Sequence, residues 1–269
     1  MKIRIATWNI NSVRLRLSLV EAFARAFKPH VLCLQEIKCR DADFPHDAMK
    51  ALGFDHVEVH GQAGYHGVAT LSKLPLARFE PQSFCGTGEA RHLPTAITLN
   101  GRRIVLHNVY VPSGGDIPDP DLNPKFRLKL THLEMMAAWF ADPANQHPDM
   151  VLAGDFNVAP LVNDVWSHKQ LLNVVSHTPV EVAHLEALQR SPGWIDAVRL
   201  HIPPERKLFT WWSYRARDWK ISNRGRRLDH IWTTPSLSAS VYSAIVVQET
   251  RGWLQPSDHV PVIADLKLD

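Results

Sequence analysis

A chain of 269 residues holds one large domain or two modest ones, and 45% hydrophobic with 21% charged residues is the composition of a folded globular protein, not a disordered one. At this length hydrophobic burial suffices for folding, so no disulfide or structural metal is required. The formal charge of +3 permits a polyanionic partner without demanding one. No apolar run approaches membrane-spanning length, and MKIRIATWNI lacks the apolar core of a secretion signal. Cys33, Cys39 and Cys85 form no C-x-x-C pair, and Cys33 lies in an apolar run as a buried, inert thiol. A reduced, cytoplasmic setting is expected.

In chain order, the first predicted element is a strand over Ile3–Asn9. Leu15, Leu19, Phe23 and Phe27 then recur every four residues and predict an amphipathic helix over Arg14–Phe27. Strand candidates follow at Val31–Glu36, Gly67–Ser72, Thr95–Asn100 and Ile104–Val111. Pro112–Pro124, rich in Pro, Gly and Asp, reads as a long surface loop and not a domain linker. Helices over Pro124–Phe140 and Pro179–Arg190 bracket a strand at Met150–Asp155, and Arg227–Thr233 and Val260–Leu266 complete the strands. This mixed order predicts α/β layers with helices covering sheets, in a single domain over 1–269 that could comprise two pseudo-symmetric halves.

Unusual polar residues fall at strand ends. Asn9 and Asn11 end the first strand, Gln35 and Glu36 the second, Tyr110 the run before Pro112, and Asp155 and Asn157 the run MVLAGDFN. Asp229 lies in RRLDHIW, and Asp258 with His259 precedes the last strand. An Asp after a strand is often only a turn or cap, and a lone His beside Asp is more often a surface residue than a catalyst. Six such places together predict one pocket at one edge of the sheets, where α/β proteins gather their functional groups. Magnesium, which takes hard oxygen ligands and keeps several waters, suits this set, with Glu36 the natural ligand and an amide such as Asn9 near it. Zinc does not, since there is no C-x-x-C and no H-E-x-x-H. Gly114–Gly115 lacks the following Gly-Lys-Ser/Thr of a phosphate-cradling loop.

The blocks TWNINSVR, LQEIK, YHGVAT, NVYVP, GDFNVAP, RRLDHIW and SDHVP stand in the order found in the exonuclease III family of DNA repair nucleases, and the sequence resembles that family from residue 7 to residue 261. The resemblance implies a four-layered α/β sandwich, two packed mixed sheets flanked by helices, with the site at one end. It implies cleavage of phosphodiester bonds in double-stranded DNA, 5′ to abasic sites and from 3′ ends, with 3′-phosphatase action, by a monomer using Mg2+ or Mn2+. Carried over by position, Glu36 resembles the main metal ligand, with Asn9, Asp258 and other members of the Asp155, Asn157 and His259 group around the ion. His259 matches the phosphate-contacting imidazole oriented by Asp229, Asp155 the carboxylate that activates water, and Asn157 and Tyr110 the groups that hold the phosphate. Asn11 and Arg91 resemble DNA contacts. The loop PSGGDIPDPDLNPKF and the sequence around Asp229 differ from the best-known bacterial member, which leaves the balance of activities open.

Inositol-phosphate phosphatases and sphingomyelinases share this superfamily, so the pocket alone does not choose the substrate. The segment FTWWSYRARDWKISNRGRRLDHIW favours DNA, because it interleaves aromatics with cations that include Arg215, Arg217 and Arg227. Trp212 is the expected wall against an abasic sugar, although one of the two adjacent tryptophans could fill the core. The rival readings are a phosphatase or lipid phosphodiesterase, and an inactive DNA-binding protein on a decayed nuclease fold.

Overall fold

Side-chain alternation along buried strands layers this molecule. In the computed structural model, which describes residues 1–216 and 218–268, strand β1 (Lys2–Asn9) turns Ile3 and Ile5 to one face and Ala6 and Trp8 to the other, and all four are buried. Arg217 of the basic segment lies outside the described residues. Helix α1 (Leu17–Phe27) crosses from β1 to β2 (Val31–Gln35), which lies parallel to β1. Helix α2 (His46–Ala51) and strands β3 (His56–His60) and β4 (Val68–Ser72) follow. Then come β5 (Ala77–Arg78), β6 (His92–Leu99) and β7 (Arg102–Tyr110), and α3 (Pro124–Ala141) crosses to β8 (Met150–Asp155), parallel to β7. The chain ends with α4 (His168–Leu171), α5 (Pro179–Arg190), β9 (Ile195–Asp196), α6 (Trp219–Ser222), β10 (Asp229–Thr233), β11 (Val241–Val246) and β12 (Val262–Lys267).

The strands form two mixed six-stranded sheets, in the orders β11-β12-β1-β2-β4-β3 and β5-β6-β7-β8-β10-β9. Each is built on a strand–helix–strand crossover with antiparallel neighbours on both sides, so the halves share one plan. Ile3, Ile5 and Val31 of the first sheet meet Ile104, Leu106 and Val151 of the second across the inter-sheet core. Leu19 and Phe23 of α1 cover Trp8 and Leu34 on one outer face, and Leu133 and Phe140 of α3 with Leu185 of α5 cover Val109 and Leu152 on the other. The predicted four layers are present.

Differences from the sequence reading have local causes. Helix α1 starts at Leu17: Arg16 before it has non-helical backbone and sends its side chain to Asn11, Tyr214 and Gln255, and Leu15 is exposed. Strand β6 starts before Pro94, which is tolerated because its missing N–H faces the side where β5 spans only two residues. Strands β3 and β11 escaped notice because they are sheet edges with half-exposed faces and no continuous apolar run. The Cys33 thiol is buried and pushed up to about 12 by desolvation, as expected of an inert core thiol.

The second sheet's outer layer also contains a histidine cluster. His92 and His107 stack with their rings hydrogen-bonded at 3.0 Å, beside Phe84, Trp139 and His132. Desolvation holds His92 and His230 well below the usual range and pushes His107 and His132 down to about 3. These four groups are neutral when folded and protonate near pH 6.5 when unfolded, so their contribution is complete above that pH and is lost as pH falls. At pH 5 the loss is about 2 kcal/mol for each of His107 and His132. Asp155, raised to about 7, and His259, raised to about 10, gain stability as pH falls through the same window, two groups against these four. Urea unfolding should therefore give a clearly lower midpoint at pH 5.0 than at pH 7.5; equal midpoints would contradict neutral burial of the cluster.

Candidate active site

The parity that fills the inter-sheet core turns polar at one end of the sandwich. Along β1, Ile3 and Ile5 give way to Thr7 and Asn9; along β2, Val31 and Cys33 give way to Gln35. Along β7, Ile104 and Leu106 give way to Asn108 and Tyr110, and along β8, Val151 and Ala153 give way to Asp155. Strands β10 and β12 run antiparallel to β8 and β1, so their beginnings arrive at the same end. Asp229 is thus paired directly with Asp155, Tyr110 lies opposite Asp155 on the other side, and Asp258–His259 enters from the turn before β12. A buried amide floor separates this end from the hydrocarbon below: Gln35 Nε2 donates to Thr7 Oγ1 and to Asn108 Oδ1.

Asn9 joins the two sheets. Its Nδ2 donates to Glu36 Oε1 and to Asp155 Oδ2, both at 2.9 Å, while its Oδ1 accepts from the Asn11 backbone. Asp155 also accepts from the Asn157 backbone at 2.9 Å and side chain at 3.2 Å. Glu36 and Asn157 adopt left-handed backbone (φ 48° and 53°), a conformation that requires support from their surroundings. Across the site, His259 Nδ1 donates to Asp229 Oδ2 at 2.9 Å, and Thr210 Oγ1 donates to the same oxygen at 2.6 Å. The other imidazole nitrogen of His259 stands 3.7 Å from Asp155 Oδ2.

These contacts set the charges. Burial pushes Asp155 up to about 7, with Asp229 adding to the rise and His259 and Asn9 opposing it. Burial disfavours charge on His259, but Asp229 and Asp155 outweigh it and raise the imidazole to about 10, so it is an imidazolium at neutral pH. Burial also works against Glu36, yet Lys38 and the Asn9 hydrogen bond leave it below its ordinary range and ionised. Desolvation, reinforced by Glu36 and Asp155, raises the Tyr110 phenol well above its ordinary value, which leaves a neutral hydroxyl.

A cavity of about 740 Å³ opens onto Glu36, Tyr110, Asn157, Asp258 and His259, and its wall carries Trp166, Trp211, Arg215, Arg224 and Arg226. Three expectations are corrected. Trp212 is 1% exposed, packed on Phe209 and Val260 with its indole N–H on Asn223, so of the adjacent pair it is Trp211 that lines the cavity. Arg227 is buried and paired with Asp164 and Asp196, so it faces no DNA. Arg91 is buried against the Tyr110 ring and bonded to Glu89, which makes it a support for Tyr110 and not a surface contact. Asn9 offers its N–H groups to Glu36 and Asp155 and its Oδ1 to the Asn11 backbone, so it orients both carboxylates. Asn11 receives Lys38 and donates to Asp258, whose other oxygen accepts from Trp211. Arg215 lies exposed at the rim.

A hard cation fits the donors present. Glu36 and Asp258 bring carboxylate oxygens to one cavity that no cysteine lines, although an ion on Glu36 would share Oε2 with Lys38 at 2.9 Å. Asp155, Asp229 and His259 also bring ligand atoms within 4.8 Å of one another. The same trio forms an ion-paired row, with His259 between Asp229 and Asp155. Lys38, Thr210 and Trp166 escaped the sequence reading, and only Lys38, two residues beyond Glu36, carried a local signal; Arg226 was one of the cations interleaved with aromatics in the 209–232 segment.

This architecture, two mixed sheets with carboxylates, amides and an imidazolium gathered at one end, defines a class of phosphoester-cleaving enzymes. Residues 6–259 match the Endonuclease/Exonuclease/phosphatase family, and the chain belongs to it. It is 28% identical over 279 residues to the exodeoxyribonuclease III of Haemophilus influenzae, covering 98% of this chain and all of that one. A solved AP endonuclease from Archaeoglobus fulgidus superposes with a TM-score of 0.88 at 28% identity, covering 99% of this chain and 100% of that one. The 3′ phosphatase NExo from Neisseria, solved with a product DNA hairpin, gives 0.87 at 30% identity with the same coverage.

Two measurements check this geometry. In metal-free protein, Asp229→Asn should bring the His259 titration, followed by NMR of the ring, from about 10 toward the ordinary range; an unmoved titration would contradict the ion-paired row. Trp212→Ala should lose roughly 3–5 kcal/mol of stability, with a much smaller loss for the half-buried Trp211→Ala. Equal losses would place Trp211 in the core too.

Proposed function

We propose that the protein is a magnesium-dependent DNA repair nuclease that incises 5′ to abasic sites, removes nucleotides 3′→5′, and clears 3′-phosphates and 3′-phosphodiester blocks. The observation that carries this reading is the Asp155–His259–Asp229 constellation beside Glu36, at the foot of a cavity walled by tryptophans and arginines. When bound at Glu36 and Asp258, the metal would supply Lewis acidity and stabilise the departing 3′ oxygen; manganese can replace magnesium chemically.

The chain's own residues account for the remainder. In its ionised form Asp155 accepts a proton from the attacking water, and Asn9 and Asn157 hold its oxygens in place. The His259 imidazolium and the Tyr110 hydroxyl face charge that grows on the phosphoryl oxygens, and Asn157, bonded to Val111 O, ties its turn to the end of the Tyr110 strand. Asp229, held by Thr210, fixes the tautomer and charge of His259. The P–O3′ bond breaks, leaving a 3′-hydroxyl on one side and a 5′-phosphate on the other.

DNA is favoured over a compact head group by the wall: Arg224 lies over Trp166 and Arg226 over Trp211, aromatic faces and cations suited to sugar and phosphate. A decayed, non-catalytic relative would have lost part of the constellation, yet every member is present and bonded. A reducing setting agrees with the three free cysteines, and among the described residues no helix is long and apolar enough to cross a membrane.

The test is a substrate panel with saturating magnesium. Release of nucleotides from a recessed 3′ end, no turnover of inositol phosphate or sphingomyelin, and a loss of at least about 10²-fold in Asp155→Asn are expected. Turnover of the lipid or inositol substrate with DNA untouched would overturn the reading.

A further inference from the structure

Arg226 and Arg227 are neighbours with opposite fates. Arg227 gives its guanidinium to Asp164 and Asp196; burial works against its charge, and the two carboxylates outweigh it. Arg226 turns into the cavity beside Trp211, its guanidinium 5.3 Å from the ring centre. One of its nitrogens donates to Val175 O and Ser176 Oγ, both at 2.8 Å, while Nε is buried with no hydrogen-bond partner. Among the described residues no carboxylate lies within ion-pair distance of Arg226; Glu181, the acidic group that influences it, is committed to Lys129. Fastening the 175–176 turn does not require a charge, since a neutral amide could make the same two bonds without desolvating a cation. Its neighbour Arg227, wholly buried, has two counter-ions, Asp164 and Asp196.

The position of Arg226 is informative. Trp211 pairs with Arg226 on one side and with His259 on the other, in antiparallel register. Directly opposed residues present their side chains on the same face. Arg226, Trp211 and His259 therefore stand in a row on one face, with Arg226 and His259 separated by two strand spacings, about 10 Å at the backbone. A phosphate held at His259 leaves space for one sugar-sized unit over Trp211 before Arg226 is reached.

We propose that Arg226 binds a second anionic group of the substrate, a carboxylate or phosphate carried by the sugar remnant that rests on Trp211, and so directs the enzyme toward 3′ blocks bearing extra negative charge over neutral abasic sugars. The proposal rests on the nuclease reading above. It makes Arg226 a specificity determinant, with no part in the bond-breaking step.

The test uses three duplexes that differ only at a recessed 3′ end: a neutral tetrahydrofuran abasic residue, the same residue with a terminal phosphate, and a phosphoglycolate. Arg226→Gln should lose at least about tenfold more kcat/KM on a charged end than on the neutral one, and the two charged arms distinguish phosphate from carboxylate. Arg226→Lys, which keeps the charge and loses the fork, should recover part of that difference. Equal losses on all three ends would overturn the proposal and leave Arg226 as a fastener of its turn. A measurement on the unaltered enzyme is independent of how the variants fold: free phosphoglycolate should inhibit cleavage of the neutral end at least about tenfold more tightly than methyl phosphate, and equal inhibition would also overturn it. Wild-type protein that cuts none of the three ends would instead sink the nuclease reading, and this proposal with it.

Discussion

The Asp155 carboxylate is 1% exposed, and the catalytic end of the molecule is organised around keeping a charge there. A carboxylate taken out of water must be satisfied by donors or it takes up a proton. Asp155 receives one donor from the first sheet, Asn9, and two from its own turn at Asn157, with an imidazolium 3.7 Å away. The balance leaves it near 7, poised to give and take a proton under physiological conditions. Asp229 plays the complementary part. Paired with His259 and held by Thr210, it keeps the imidazole charged. Two carboxylates opposite one another in the same sheet thus acquire different jobs from their surroundings.

The fold provides this arrangement through parity and direction. Residues of one parity line the inter-sheet core along most of each strand, and the same parity continues into the polar end, so the site extends the core and is as rigidly held. The antiparallel neighbours bring strand beginnings to the place where the parallel pairs bring strand ends. Left-handed turns at Glu36 and Asn157 then set those side chains at the cavity edge.

Much of this was legible in the sequence, because a polar residue at the end or the start of an apolar run is conspicuous; Asn9, Glu36, Tyr110, Asp155 and Asn157 stand at ends, and Asp229 and His259 at starts. What stayed hidden depends on long-range pairing. Trp211 and Trp212 are indistinguishable locally, since alternation sends one inward and one outward, and only the bridges of Trp211 to Arg226 and His259 decide which. Arg226 and Arg227 pose the same ambiguity, settled by Asp164 and Asp196, far away in the chain. Asn9 showed itself as a polar strand end, but its service as a bridge depends on where Glu36 and Asp155 come to lie. Edge strands β3 and β11 are half-exposed and carry too weak an apolar pattern to be seen.

The most direct measurement is incision of an end-labelled duplex carrying one internal abasic-site analogue, with magnesium and with EDTA, by wild-type protein and by Glu36→Ala. The account predicts a single cut 5′ to the lesion that requires magnesium and collapses in the variant. An uncut duplex, or incision that persists undiminished in EDTA or in Glu36→Ala, would contradict it.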